Sequence, residues 1–140
     1  IRNNVGEIVL YYSVLNLFGI DYCFTKTDAV YIWTEGRYNI ARYREFYPIS
    51  ICIKKEDYAI FKWYCKKLSL KINAKSGVFY VPEIVNEVVY VKKRDYSVQS
   101  LDETIKFMKK NIYNFEPALE MIYEMYKKGL KVKYKEVNTL

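Results

Sequence analysis

Histidine is absent from all 140 residues. Imidazole metal ligation, a histidine general base, and Ser-His-Asp or Cys-His catalysis are therefore excluded within this chain. Glycine is scarce, at five residues. Neither G-x-x-x-x-G-K-[ST] nor G-x-G-x-x-G occurs, so the glycine-rich loops that cradle nucleotide phosphates are missing. The three cysteines are Cys23, Cys52 and Cys65. Their odd number, the lack of C-x-x-C spacing and their apolar or aromatic neighbours predict reduced, structural thiols in a cytoplasmic protein. The longest apolar run, residues 8–12, is far shorter than the roughly 18 residues a membrane span needs. No membrane partner is expected. No signal peptide can be read, and a start at Ile1 rather than Met leaves room for an upstream segment.

What the chain does have is tyrosine, 16 of them in an aromatic share of 18%. With 51% hydrophobic and 28% charged residues, it can build one core and is neither disordered nor membranous. Lys and Arg outnumber Asp and Glu by 23 to 16, a net charge of +7. That surplus favours an anionic partner, either nucleic acid or an acidic protein face. A uniformly Lys-rich surface would give the same total without a partner.

Apolar positions three and four apart predict a helix from a cap at Asn3-Asn4 to about Phe18, closed by Gly19. Residues 20–24 read as a strand, residues 28–34 as a short helix ended by Gly36, and residues 49–53 as a β-branched strand. A helix is expected over 56–68, then strands at 70–72, 78–81 and 87–91, with a turn at Ser76-Gly77. The box Ser100-Leu101-Asp102-Glu103 opens a further helix. Pro117 and Gly129 frame a last one over 118–128. The order predicts one α/β (α+β) domain. Residues 1–98 form a small mixed sheet flanked by helices, and residues 99–140 form a C-terminal pair of helices.

Carboxylates able to gather Mg²⁺ do not converge in this pattern, since Asp21, Asp28, Glu83 and Glu87 are scattered. No metal, no cofactor and no catalytic residue is expected. The strongest candidate surface is the irregular stretch 36–48, where Arg37, Tyr38, Arg42, Tyr43 and Arg44 place cations beside rings. Guanidinium groups on phosphates and aromatic faces under bases are how single-stranded nucleic acid is held. The alternative is that the tyrosines pack on the core while the arginines stay solvated. Lys26, in Thr25-Lys26-Thr27 before a helix, could meet an anion at the helix start, though a plain Thr cap explains the same residues. Residues 127–135 alternate Lys with apolar side chains, as either a blunted edge strand or a phosphate-attracting arm. Glu116, Glu120 and Glu124 make a solvated helix face.

Residues 15–72 resemble the core of minimal nucleotidyltransferase-fold proteins of the abortive-infection and type IV toxin–antitoxin kind. The resemblance is carried by Gly19-Ile20-Asp21-Tyr22, by Ala29 in the helix after it, by Glu56-Asp57-Tyr58-Ala59-Ile60-Phe61, and by residues 68–72. Where the family carries a Gly-Gly or Gly-Ser turn, this chain has Lys26-Thr27. Where an Asp-x-Asp pair holds two Mg²⁺ ions, it has Pro48-Ile49-Ser50. Without those carboxylates the transfer step loses its electrostatic stabilisation. The resemblance thus implies a catalytically silent scaffold kept for binding nucleic acid or a partner protein. An enzyme using Asp21, Glu83 and Glu87 and a pure homo-oligomerisation domain remain as alternatives.

Overall fold

The computed structural model describes residues 4–40 and 42–128. Helix α1 (Asn4–Ser13) tightens into a 3-10 turn, Val14–Leu17, before Gly19 ends it at φ +68°. Tyr11, Tyr12, Leu15 and Phe18 are buried along one face, the three-and-four spacing that an amphipathic helix requires. Strand β1 (Tyr22–Phe24) leads into α2 (Lys26–Trp33). That helix closes with Glu35 and Gly36 both at positive φ and with the Gly36 N–H donating to the Tyr31 carbonyl at 2.8 Å.

Strand β2 (Phe46–Lys54) shows the clearest logic. Its inward residues Tyr47, Ile49, Ile51 and Ile53 are each at most 2% exposed, while Pro48, Ser50, Cys52 and Lys54 are half-buried on the other face. Alternation of this kind places every second side chain in the core, each fully buried one contributing about 1.5–3 kcal/mol. A 3-10 turn, Lys55–Asp57, opens α3 (Tyr58–Leu68), whose Phe61 and Cys65 meet that core. Strands β3 (Gly77–Val85), β4 (Val91–Lys93) and β5 (Tyr96–Val98) follow, then α4 (Leu101–Lys110) and α5 (Ile112–Tyr126).

The five strands make one mixed sheet in the order β3-β2-β1-β5-β4. β1 runs antiparallel to β2 and parallel to β5; β2 is parallel to β3, and β4 antiparallel to β5. Pro82 lies in β3, an edge strand, where a missing N–H is tolerated. The chain is a small α/β fold with a mixed sheet and a C-terminal helix pair, as the element order implies. A second cluster joins Val30 of α2 to Ile105 and Met108 of α4 and to Phe115, Ala118, Leu119 and Ile122 of α5. Helix α2 therefore serves both cores, since its Ala29 and Ile32 belong to the sheet core.

Residues 46–48, expected to be irregular, open β2, and β3 runs on to Val85 past the expected end at 81; four further expectations need correction. Residues 70–72 form no strand, only one bridge from Ile72 to Tyr80. Pairing at the far edge covers Val91–Lys93 rather than 87–91. Strand β5 went unread because three residues after the polar Arg94-Asp95 turn are too few to show a period. Pro117 lies inside α5 rather than at its first position, because the helix starts five residues earlier at Ile112. The one hydrogen bond it removes would run to Tyr113, which is 99% exposed, so water can replace it. At α4 the Ser100 Oγ accepts the Glu103 N–H at 3.2 Å, while the Glu103 carboxylate turns to Lys106. Asn3, Gly129 and residues 130–135 of the Lys-rich run lie outside the described residues.

Candidate functional site

Asp28, in the first turn of α2, is fully buried and organises the irregular segment before β2. One carboxylate oxygen accepts Arg42 Nη1 at 2.9 Å and the Tyr12 hydroxyl. The other accepts the Ser50 N–H at 2.7 Å. Arg42 also donates to the Pro48 carbonyl at 3.0 Å and, through Nε and Nη2, to Asn39 Oδ1, with its guanidinium 4.1 Å over the Tyr47 ring. Burial pushes the Asp28 carboxyl up, against the pull of Arg42, Tyr12 and the Ser50 amide. Burial also opposes the Arg42 charge, but Asp28 and the neighbouring tyrosines hold it above its ordinary value. The pair is a brace between α2 and β2.

The six sequence-selected residues are consequently placed in different environments. The Arg42 side chain is 4% exposed and turned inward. Tyr38 is half-buried; its hydroxyl donates to the Asn114 carbonyl and its ring packs on Phe115, so it ties the segment to α5. Arg37 is exposed at the close of α2, where its N–H donates to the Thr34 carbonyl. Lys26 is exposed at the opposite end of α2, its backbone at φ 52° and its N–H donating to Gln99 Oε1. Tyr43 and Arg44 are exposed on a tight turn closed by reciprocal bonds between Tyr43 and Phe46, at 3.2 and 2.8 Å.

That turn carries a residue the sequence reading passed over. Phe46 is 51% exposed and Tyr43 63% exposed, on either side of Arg44. The signal was available: with Tyr47 inward in an alternating strand, Phe46 must point outward. Its ring meets Phe79 edge-on at 5.6 Å, and the Gly77 N–H ties the turn to β3 through the Glu45 carbonyl at 2.7 Å. Two rings, the Arg44 cation and the Glu45 carboxylate are thus exposed on a turn whose backbone is braced.

A second feature lies on the sheet face away from the core. A cleft of about 370 Å³ is lined by Cys23, Cys52, Glu87, Gln99 and Glu103. Cys23 and Cys52 are direct cross-strand partners in the β1–β2 ladder. Their thiols lie near the Val89 carbonyl and the Glu83 carboxylate, at 3.9 and 3.8 Å. Cys65 sits apart in the sheet core, where burial pushes its thiol up to about 12. Among the described residues, no three His, Cys, Asp or Glu side chains converge to hold a metal ion, and no helix is long and apolar enough to cross a membrane. No protein-family model matches the chain, and no curated protein or solved structure matches it either.

Proposed function

We propose that this chain is a non-catalytic binding module, on a nucleotidyltransferase-like scaffold, that holds single-stranded nucleic acid at the turn 43–46. The observation that carries the reading is the pair of exposed rings, Tyr43 and Phe46, flanking Arg44 on a turn closed by two backbone hydrogen bonds. Exposed rings on a backbone-braced turn can stack bases, and a guanidinium beside them can meet the phosphate between two bases. Arg37 and Lys26, both exposed, add positive charge at the two ends of α2, and the net charge of +7 favours approach of a polyanion. The lack of an Asp-x-Asp pair on β2 supports a binding rather than a transferase role. A scaffold of this kind belongs to a defence or toxin–antitoxin setting.

The test is a fluorescence-anisotropy titration of labelled single-stranded oligonucleotides at several salt concentrations. Arg44→Ala should reduce the salt slope by about 0.7, one phosphate contact on a single strand. Tyr43→Ala and Phe46→Ala should each lower affinity by about 1–3 kcal/mol with the slope unchanged. Binding and slope indifferent to all three substitutions would exclude the turn as the contact surface. A second reading, docking of a protein or another copy, is favoured by the outer side of α3, where Ile60 and Trp63 are 45% and 56% exposed. Concentration-dependent mass in light scattering, lost in Trp63→Glu, would support it.

A further inference from the structure

The cleft over β1 and β2 contains chemistry that nucleic-acid binding does not use. Cys23 faces Cys52 directly across an antiparallel ladder, so both side chains project from the same sheet face. The bonds from the Thr25 N–H to Ser50 and from the Lys54 N–H to Asp21, both 3.0 Å, set the phase of that ladder. In this phase Cys23 and Cys52 are a hydrogen-bonded pair, whose Cα atoms lie about 5.5 Å apart, within the span a disulfide bridges. Both residues line the cleft; Cys52 is half-buried, Cys23 buried at 3% exposure.

We propose that Cys52 and Cys23 form a dithiol site that reacts with small-molecule disulfides of the glutathione type and closes into a cross-strand disulfide. The Cys52 thiolate attacks one sulfur of the disulfide RS–SR; that S–S bond breaks, and the first RS⁻ leaves and takes up a proton. Cys23 then gives up its proton and attacks the Cys52 sulfur of the mixed disulfide, expelling the second RS⁻ as RSH. Two protein thiols are oxidised by two electrons, one small disulfide is reduced to two thiols, and no other reactant is needed. The roles are set by the surroundings. Cys52 is half-buried and its Sγ lies 3.8 Å from the Glu83 carboxylate, whereas Cys23 is 3% exposed with its Sγ 3.9 Å from the Val89 carbonyl. The more accessible sulfur, that of Cys52, attacks and the buried one resolves. Closure would staple β1 to β2 beneath the cleft.

Incubating the full chain with oxidised glutathione tests this, followed by intact mass, thiol titration in denaturant and peptide mapping. The expected product has lost two hydrogens, keeps Cys65 as its single free thiol, and carries a link between residues 23 and 52. Cys23→Ser should stop at one stable glutathione adduct on Cys52, and Cys52→Ser should leave Cys23 unmodified. Mapping of the unsubstituted protein decides the matter even if a serine variant fails to fold. An unreacted Cys52 in the folded chain, a link involving Cys65, or Cys23 reacting as fast in Cys52→Ser as in the parent would each overturn the proposal.

Discussion

Arg42 and Arg44 stand two positions apart and do different work because only one has a buried carboxylate within reach. Arg42 neutralises Asp28, which no solvent reaches. Removing one partner of such a pair leaves an uncompensated buried charge, at a cost of about 3–5 kcal/mol. Arg42→Ala should therefore lower urea stability by that order at neutral pH, while Arg44→Ala should change it by less than about 0.5 kcal/mol. The Asp28 carboxyl already titrates above its usual range, burial being the main cause and Arg42 the strongest opposing influence. Without Arg42 the folded-state value rises further. A carboxyl whose folded value exceeds its unfolded one stabilises below the unfolded value, and that stabilisation disappears as pH rises through the folded one. The deficit of Arg42→Ala should hence shrink as pH is lowered through that raised range, because protonated Asp28 no longer carries an unpaired charge. A deficit that stays constant across the whole pH range in which the fold persists would refute this account. The sequence showed the Arg and Tyr residues of 36–48 but not which way they face. Asp28, fourteen residues earlier, decides that through a tertiary contact that no local pattern encodes.

At the scale of elements, what was legible is what has a period or a cap. Strand β2 announces itself by alternation, α1 by its three-and-four spacing, and α4 by Ser100 three residues before Glu103. Strands β4 and β5 leave little trace in the sequence, since three residues beside polar turns contain barely one repeat. Pro117 misled because it fits a first helical position, whereas here it lies one turn further in, where an exposed carbonyl tolerates it. The caps make two quantitative predictions. Ser100→Ala removes the acceptor for the Glu103 N–H and should cost about 1 kcal/mol. Ser69 ends α3 in the left-handed conformation, φ 56° and ψ 39°, with its N–H bonded to the α3 carbonyls of Cys65 and Lys66. Glycine adopts that conformation without the Cβ penalty, so Ser69→Gly should raise stability by about 0.5–1 kcal/mol. Chemical denaturation of the two variants should shift the midpoint in opposite directions. A destabilised Ser69→Gly protein would show that the serine side chain contributes more than its backbone strain costs.

Among the described residues, two apolar clusters meet with no linker between them. Strand β5 passes into α4 through Gln99 and Ser100 alone; the Gln99 N–H donates to the Phe24 carbonyl at 2.9 Å and its carbonyl accepts the Trp33 indole N–H at 2.8 Å. Trp33 is gripped again from α5, since the Tyr126 hydroxyl donates to its carbonyl at 2.7 Å and the two rings meet edge-on at 5.6 Å. With Val30 in one cluster and Ala29 and Ile32 in the other, α2 cannot leave the helix pair without opening the sheet core. The C-terminal pair should therefore unfold together with the sheet, as one cooperative unit. Leu119, fully buried between α5 and its neighbours, provides the test. Leu119→Ala should cost about 2–5 kcal/mol, and that loss should register equally in both halves. Trp33 sits where the helix pair meets the sheet core, and Trp63 lies on α3 over the sheet. Urea unfolding followed by the fluorescence of Trp33 in a Trp63→Phe background, and of Trp63 in a Trp33→Phe background, should show the same displacement of both midpoints when Leu119→Ala is added. Movement of the Trp33 transition alone would mean that the helix pair melts off a sheet that stands without it, and that α2 divides its allegiance rather than joining the two clusters.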